Sequence, residues 1–304
     1  MSPPDEFERI AALTRGLGAG AGVVLGPGDD AAVLRPRAGH DLVATTDTFV
    51  EGRHFRREQL PIEAIGRRLA AANLSDLAAM AAEPRWALVS FAIGEQWSEA
   101  DVFALQHAAA ASLQAEGATV VGGNLSRTSG PLVVSVTLLG EVEHGLHFTR
   151  AGARPGDVLA VTGTPGLAGR ALAEAASGAA WPIAYLSPPC RVQLARTLAA
   201  AGGVTAAIDL SDGLSGDLAH LARASGVGAE LDAAALSPGA LDPSDDYELL
   251  LALDPAQCEA LEAAARAAGA PLTRFGRCVS EGLWVLGPHG TRRALEARGY
   301  DHFA

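Results

Sequence analysis

The chain has 304 residues, of which 49% are hydrophobic and 19% charged, and its formal net charge is −12. This much apolar material argues against disorder and can form the core of one large domain or two ordinary ones. The acidic balance argues against a nucleic-acid partner, which would need a basic patch. No apolar run approaches the roughly 18 residues of a membrane span and the N-terminus is polar, so we expect a cytoplasmic protein without a membrane partner.

The sequence contains no lysine, so all 23 basic residues are arginine. A P-loop requires the lysine of G-x-x-x-x-G-K-[ST], and a protein kinase requires a lysine on its third strand. Schiff-base chemistry, including that of pyridoxal phosphate, also depends on lysine. Any phosphate chemistry here must therefore use metal ions, arginine and backbone N–H groups.

Strand and helix signals alternate along the chain, which predicts an α/β or α+β architecture. The first half predicts helices over 61–82 and 98–116 and strands over 41–45, 86–93, 118–121 and 131–142. Ser98 with Asp101 is a capping-box pattern at the start of the second helix. The second half predicts strands over 158–162, 205–208 and 247–253. Because 149–157 reads as a connection, we expect two domains, 1–148 and 149–304.

Four short acidic runs carry the strongest functional signal. Each joins carboxylates to hydroxyl or amide oxygens, or to glycine: Gly28-Asp29-Asp30, Thr45-Thr46-Asp47, Asn73-Leu74-Ser75-Asp76 and Asp209-Leu210-Ser211-Asp212. Taken alone, each run is as readily a turn, a helix cap or a polar patch. Together they are predicted at strand ends or on a facing helix, where ligand sites of open α/β sheets lie. Since oxygen ligands suit hard cations, the runs predict Mg²⁺ binding.

Other polar positions have a functional and a structural interpretation. The pair Gly122-Gly123, predicted to follow a strand, lets backbone N–H groups approach a phosphate, although a plain tight turn has the same pattern. His54 follows the second acidic run and can contact an anion or serve the fold. Arg150 can pair with a phosphate or be a solvated charge. Tyr300 near the C-terminus can anchor the tail.

The motifs, in this order, resemble the thiamine-monophosphate kinase family, which is related to aminoimidazole-ribotide synthetase and selenophosphate synthetase. The resemblance runs from about residue 26 to the end. It is carried by G-P-G-D-D-A-A-V from Gly26, T-T-D-T-F-V-E-G-R-H-F from Thr45, N-L-S-D-L-A-A-M from Asn73, G-G-N from Gly122, T-R-A-G-A-R-P-G-D from Thr149, I-D-L-S-D-G-L from Ile208, D-D-Y-E-L from Asp245 and G-Y-D-H-F from Gly299.

The resemblance implies a fold and an activity. The fold is a two-domain PurM-like α/β (α+β) fold, with an N-terminal domain that joins a dimeric β-barrel and a C-terminal α/β domain. The activity is ATP- and Mg²⁺-dependent phosphorylation of thiamine monophosphate to thiamine diphosphate, by a homodimer with its ATP site in the cleft between domains.

The resemblance also implies site residues, motif by motif. The metal ligands are Asp30, Thr45, Thr46, Asp47, Asp76, Asn124, Asp209 and Asp212, of which Asp47, Asp76 and Asp212 are catalytic. The ATP contacts are Gly123, Asn124, Arg150 and Ser211. The contacts to thiamine monophosphate are His54, Asp245 and Tyr300. Asn124 departs from the family's usual Asp, so one metal site keeps an oxygen ligand and loses a charge.

Two alternative functions stay open at this point. One is a sister synthetase that activates another acceptor with ATP; the selenophosphate enzyme typically needs a cysteine near its N-terminus, whereas the first cysteine here is Cys190. The other is a catalytically weak relative that only binds nucleotide or thiamine phosphates, for which Asn124 is the main support.

Overall fold

The structure is a computed structural model that describes residues 6–287 and 291–299. The chain divides into two compact units, residues 1–77 with 83–144, and residues 78–82 with 145–304. No helix in the described ranges is both long enough and apolar enough to cross a membrane.

The first unit begins with a helix and a short hairpin and continues into a four-stranded sheet with two long helices. Its elements are α1 (Glu6–Leu13), β1 (Val23–Leu25), β2 (Val33–Leu34), β3 (His40–Val50), α2 (Ile62–Ala79, whose last residues belong to the second unit), β4 (Glu83–Gly94), α3 (Glu99–Ala115), β5 (Thr119–Thr128) and β6 (Val133–Glu143). The sheet has the order β3-β6-β4-β5, in which only the β4–β5 pair is parallel.

The helices α2 and α3 form the core of the first unit with one face of its sheet. Gly66 of α2 lies so close to α3 that a Cβ there would be 2.4 Å from the Leu105 carbonyl oxygen, so the two backbones touch. The predicted capping box is present, with the Ser98 hydroxyl and the Asp101 carboxylate each accepting the other residue's backbone N–H. Buried side chains fill the space between the layers, including Ile65, Leu69, Leu105, Leu113 and Leu138.

The opposite face of this sheet is exposed to solvent. Thr46 lies across from Thr137, which pairs in turn with Leu88, and in the next row Thr48 lies across from Ser135. Leu42 is 52% exposed and Leu88 is 38% exposed on this face. We call it the open face. Because adjacent residues of a strand point to opposite sides of the sheet, the residues of the open face alternate along each strand with those that face α2.

The second unit is built on a seven-stranded sheet of order β13-β12-β9-β11-β7-β10-β8. Its elements are β7 (Val158–Thr162), α4 (Leu167–Ala176), α5 (Ile183–Leu186), α6 (Val192–Ala201), β8 (Val204–Asp209), α7 (Leu214–Ser225), β9 (Gly228–Asp232), β10 (Leu249–Leu253), α8 (Cys258–Ala267), β11 (Leu272–Val279), β12 (Leu283–Leu286) and β13 (Arg292–Ala294). All five residues of β10 are buried, so both faces of the sheet are covered there.

Two of the strands extend far beyond their predicted C-terminal ends, and this changes the setting of two motifs. The strand predicted over 41–45 continues to Val50 because every residue from His40 onward pairs with β6, so Thr45 to Asp47 lie inside a strand and not at its end. The strand predicted over 118–121 continues to Thr128, so Gly122 to Asn124 lie within β5 and not in a loop after it.

Candidate functional site

The first unit brings Thr45, Asp47 and Asp76 together. Thr45 and Asp47 are two residues apart on β3 and therefore share the face that α2 covers. The Thr45 hydroxyl donates a short hydrogen bond to Asp76 Oδ2 across the gap between strand and helix. The result is two carboxylates and a hydroxyl at one place, which is an all-oxygen donor set.

The Asp47 carboxyl has an unfavourable environment for a negative charge. Burial raises its pKa, and repulsion from Asp76 raises it further, to about 6. A cation beside Asp47 and Asp76 would remove this penalty, because an opposite charge favours the ionised form. The two carboxylates are therefore suited to binding a hard divalent ion.

Asn73, one helical turn before Asp76, has a buried oxygen without a hydrogen bond. Its amide nitrogen donates to the Leu69 carbonyl at 3.0 Å, and the residue is fully buried. Its Oδ1 has no hydrogen-bond partner among the described residues. A buried acceptor without a hydrogen bond costs free energy. The N-L-S-D motif therefore contains, in Asn73 Oδ1, a further oxygen that lacks a hydrogen-bond donor.

The side chains of two other predicted metal ligands lie on the open face. The Thr46 hydroxyl contacts the Val136 carbonyl and the Thr137 hydroxyl, both at 3.1 Å. Asn124 is exposed and pairs with Ser90, which lies across from Ser135 in the same row as Thr48. The structure therefore does not group the Thr46 and Asn124 side chains with those of Thr45, Asp47 and Asp76.

Gly123 and Asp30 occupy different settings in the first unit. Gly123 lies in β5 against β4, and a Cβ there would be 1.8 Å from the Val89 carbonyl oxygen, so close strand packing alone requires glycine. Asp30 is exposed in the loop after β1, where its N–H donates to the Asp29 carboxylate at 2.8 Å. The packing role of Gly123 and its predicted ATP contact are compatible.

His54 is held by the turn that follows β3. Its Nδ1 accepts the Val50 N–H at 3.0 Å, and its ring stacks on Phe49 with centroids 5.4 Å apart. In the neutral ring this bond places the proton on Nε2. The half-buried imidazole is thus fixed in one orientation, as a residue that meets a ligand needs to be.

The second unit presents the Asp209–Asp212 run between β8 and α7, at the strand end that the sequence predicts. Asp209 is buried as the last residue of β8, Asp212 is half-buried and Ser211 is exposed. Leu210 connects the loop to the 244–248 segment, because its N–H donates to Glu248 O at 2.8 Å and its carbonyl accepts from Tyr247 at 2.9 Å.

Asp217 is a residue of this loop region that sequence reasoning missed. Its buried carboxylate accepts the N–H groups of Asp212 at 3.2 Å and Gly213 at 3.0 Å, which fixes the loop at the start of α7. Burial, followed by repulsion from Asp212, raises the pKa of Asp217 to about 7. The sequence feature that could have identified Asp217 is its position as an acidic residue in the first turn of the helix that follows the D-L-S-D-G run.

The remaining predicted residues lie in the second unit. Asp245 is half-buried between the buried residues Ser244 and Asp246. Arg150 is exposed, and its carbonyl accepts the Ser225 hydroxyl at 2.9 Å. Tyr300 lies outside the described residues.

The described residues contain no group of three or more His, Cys, Asp or Glu side chains close enough to hold one ion. The Thr45, Asp47 and Asp76 set holds only two carboxylates. Such a set suits an ion that takes its other ligands from solvent or from a phosphorylated substrate, as Mg²⁺ does.

Comparison with known proteins identifies the family. Residues 28–142 match the model of the AIR synthase related protein N-terminal domain, and residues 154–284 match that of its C-terminal domain. A thiamine-monophosphate kinase of Caulobacter vibrioides is 39% identical over 91% of this chain and 85% of its own length.

Two solved structures share the fold. The crystal structure of thiamine-monophosphate kinase from Stenotrophomonas maltophilia is 35% identical with a TM-score of 0.80, and the match covers 94% of this chain and 96% of that one. The structure of AaThiL complexed with AMPPCP and TMP is 28% identical with a TM-score of 0.75, covering 88% of this chain and 89% of that one. The chain belongs to the thiamine-monophosphate kinase family.

Proposed function

We propose that this chain uses ATP to phosphorylate thiamine monophosphate, giving thiamine diphosphate, with divalent cations held by its acidic residues. The family supports the reaction, and a relative has been solved with AMPPCP and TMP. The observation that carries the metal part of the proposal is the Asp47–Asp76 pair, in which burial and repulsion from Asp76 raise the pKa of Asp47. A sister synthetase is not favoured, because the curated relatives from Caulobacter vibrioides and Escherichia coli are both thiamine-monophosphate kinases.

The chemistry of the acceptor fits a site without a general base. A phosphate monoester is largely ionised at neutral pH and is already a nucleophile, so the difficulty is bringing two polyanions together. Phosphoryl transfer depends mostly on positioning and on neutralising charge. Bound Mg²⁺ supplies that neutralisation.

The residues of the chain have the following roles in this proposal. In the first unit, Asp47 and Asp76 hold an ion, with the Thr45 hydroxyl orienting Asp76. In the second unit, Asp209 and Asp212 hold an ion, and Asp217 fixes the loop that presents them. Asp30 is a further proposed metal ligand, whereas the Thr46 and Asn124 side chains lie on the open face and are not assigned to the Asp47–Asp76 ion. Gly123, Arg150 and Ser211 contact ATP, and His54, Asp245 and Tyr300 contact thiamine monophosphate.

A second copy of the chain is the proposed protein partner. The open face of the first unit carries exposed Leu42 and Leu88 among small polar side chains. Such a face is suited to packing against an identical sheet in a symmetric dimer. We therefore propose a homodimer that is joined through the open face.

A steady-state assay tests the function directly. Purified protein is incubated with thiamine monophosphate, ATP and a titrated concentration of MgCl₂, and thiamine diphosphate and ADP are quantified by chromatography. We expect equal amounts of the two products and no turnover after chelation with EDTA. ATP consumption without thiamine diphosphate would contradict the proposed reaction, and undiminished turnover in EDTA would contradict the metal role.

A further inference from the structure

Tyr247 has a backbone conformation that a bulky residue rarely adopts. Its φ is +55°, and it is one of two non-glycine residues in the described chain with positive φ, the other being Ala81. Tyr247 is also buried, so the conformation is not that of a loose surface loop. A left-handed non-glycine residue persists only where its surroundings enforce it, and such positions cluster at ligand sites.

The next residue after Tyr247 is Glu248, whose carboxylate is held by the side chains of Arg191 and Thr162. Arg191 donates to it with both arms of its guanidinium, Nε to Oε2 at 2.6 Å and Nη2 to Oε1 at 2.7 Å. Thr162 Oγ1 donates to the same carboxylate and in turn accepts the Leu249 N–H at 2.8 Å. Gly163 leaves room for the carboxylate, since a Cβ there would lie 1.8 Å from Glu248 Oε1. The Glu248 carboxylate is thus fixed by three hydrogen bonds, two from Arg191 and one from Thr162.

The residues before Tyr247 are anchored by the start of α4. The Asp246 carboxylate accepts the N–H groups of Gly166 at 2.6 Å and Ala168 at 2.8 Å, and the Ser244 hydroxyl accepts that of Gly169 at 2.9 Å. α4 has glycine as its N-cap and no side-chain cap of its own, so the 244–248 segment supplies the capping.

We propose that Glu248, clamped by Arg191, is a positioning residue that holds the strained Tyr247 turn and thereby fixes Asp245 for substrate. This inference rests on the proposed function, in which Asp245 contacts thiamine monophosphate. The neighbouring Asp209–Asp212 loop is bonded to this segment through Leu210, but it has a second support, because Asp217 binds the N–H groups of Asp212 and Gly213. Loosening the clamp therefore disturbs the thiamine monophosphate contact more than it disturbs Asp212 and Gly213, which Asp217 still holds.

Arg191→Lys is the test variant, because lysine keeps the charge but cannot bind both carboxylate oxygens as a planar fork. We expect the KM for thiamine monophosphate to rise at least about fivefold, with the KM for ATP within about twofold of wild type. The matched control is Arg277→Lys, which alters another arginine that binds a buried glutamate, Glu230, with two nitrogens in the same unit. The control should leave both KM values unchanged.

A double variant separates positioning from stability. In Arg191→Met with Glu248→Leu, the buried ion pair is replaced by apolar groups, a change that is often neutral for folding. We expect the melting temperature of this double variant to be close to that of wild type, while its KM for thiamine monophosphate stays raised. A double variant with both a wild-type melting temperature and a wild-type KM for thiamine monophosphate would overturn the inference. An unchanged KM for thiamine monophosphate in Arg191→Lys would also overturn it.

Amide hydrogen exchange without substrates decides the inference independently of activity. Peptides covering 244–249 should exchange faster in Arg191→Lys than in wild type, whereas peptides covering 211–215 should change much less, because Asp217 still binds the N–H groups of Asp212 and Gly213. Equal protection of 244–249 in the two proteins, or a uniform loss of protection, would overturn the inference even if the wild type did not phosphorylate thiamine monophosphate. An inactive wild type with the expected exchange pattern would instead contradict the proposed function alone.

Discussion

At the level of single residues, the candidate site contains buried carboxylates whose negative charge is unfavourable in the folded state. Burial and a neighbouring carboxylate raise the pKa of Asp47 beside Asp76 to about 6 and that of Asp217 beside Asp212 to about 7. A carboxylate whose pKa is raised in the folded state weakens folding at neutral pH. This cost is what a cation-binding function would explain, because an ion restores the missing stabilisation only when bound.

Asp47→Asn should therefore separate function from stability. Asparagine has nearly the same shape but no charge, so we expect turnover to fall more than about tenfold while the fold is kept. In the absence of divalent ions at pH 7, the free energy of unfolding should rise by about 1–3 kcal/mol, because the unfavourable ionisation is gone. Steady-state kinetics and urea unfolding measure the two effects.

The control for this variant is Asp41→Asn. Asp41 lies on the same strand but is exposed, 3.0 Å from His144 Nδ1, so its removal should change neither quantity appreciably. Wild-type turnover of Asp47→Asn at limiting Mg²⁺ would reject the metal role of Asp47.

At the scale of elements, β5 must come very close to β4 at Gly123. We expect Gly123→Ala to lower the free energy of unfolding by about 2–4 kcal/mol, because the new methyl group would collide with the Val89 carbonyl. Gly130→Ala is the matched control, since its Cβ would meet only Thr128 Oγ1 at 3.5 Å, an ordinary contact. Equal melting temperatures for the two variants would refute this packing role.

Sequence patterns predicted which helices and strands exist more accurately than where the strands end and which side of the sheet each residue faces. The capping box located the start of α3, and the apolar run 158–162 predicted β7 correctly. The extension of β3 past Thr45 depends on pairing with β6, which is distant in sequence. Whether Thr46 or Asp47 faces α2 also follows from that pairing, so spacing alone could not separate the two.

The supporting residues of the site were beyond the reach of the sequence for the same reason. Arg191 and Glu248 are 57 residues apart, and neither resembles a ligand by itself. The D-L-S-D-G run was recognisable because its two acidic residues, Asp209 and Asp212, lie only three positions apart in the chain. The carboxylate that holds its backbone, Asp217, looks like an ordinary residue in the first turn of a helix.

At the scale of the whole molecule, stability should depend on pH with a definite sign. The pKa values of Asp47 and Asp217 are raised to about 6 and about 7, from 3.8 for each when unperturbed. Between pH 4 and 7 the folded state thus binds more protons than the unfolded state, and stability is lost as pH rises through this window. The net charge of −12 adds repulsion in the same direction.

Thermal unfolding in metal-free buffer checks this dependence. We expect the melting temperature to fall from pH 5 to pH 7.5, and Asp47→Asn to reduce the slope. Added MgCl₂ should raise the melting temperature more at pH 7.5 than at pH 5, since ion binding competes with protons for the same carboxylates. A melting temperature that rises steadily over this range without metal would contradict the assignment.

The open face of the first unit leads to the last expectation, which concerns assembly. Leu42 and Leu88 lie exposed among threonine and serine on this sheet face, and a second copy of the chain packed there would remove them from water. Light scattering after size exclusion should give twice the chain mass of 31.0 kDa. Leu88→Glu should shift the protein toward the monomer, because a dimer through this face would bury a carboxylate from each chain. The control Leu172→Glu changes a leucine that is 53% exposed on α4 of the second unit, and it should leave the mass unchanged. A wild-type protein that stays monomeric at high micromolar concentration, or a Leu88→Glu variant that dimerises as well as Leu172→Glu, would show that the open face is not the interface.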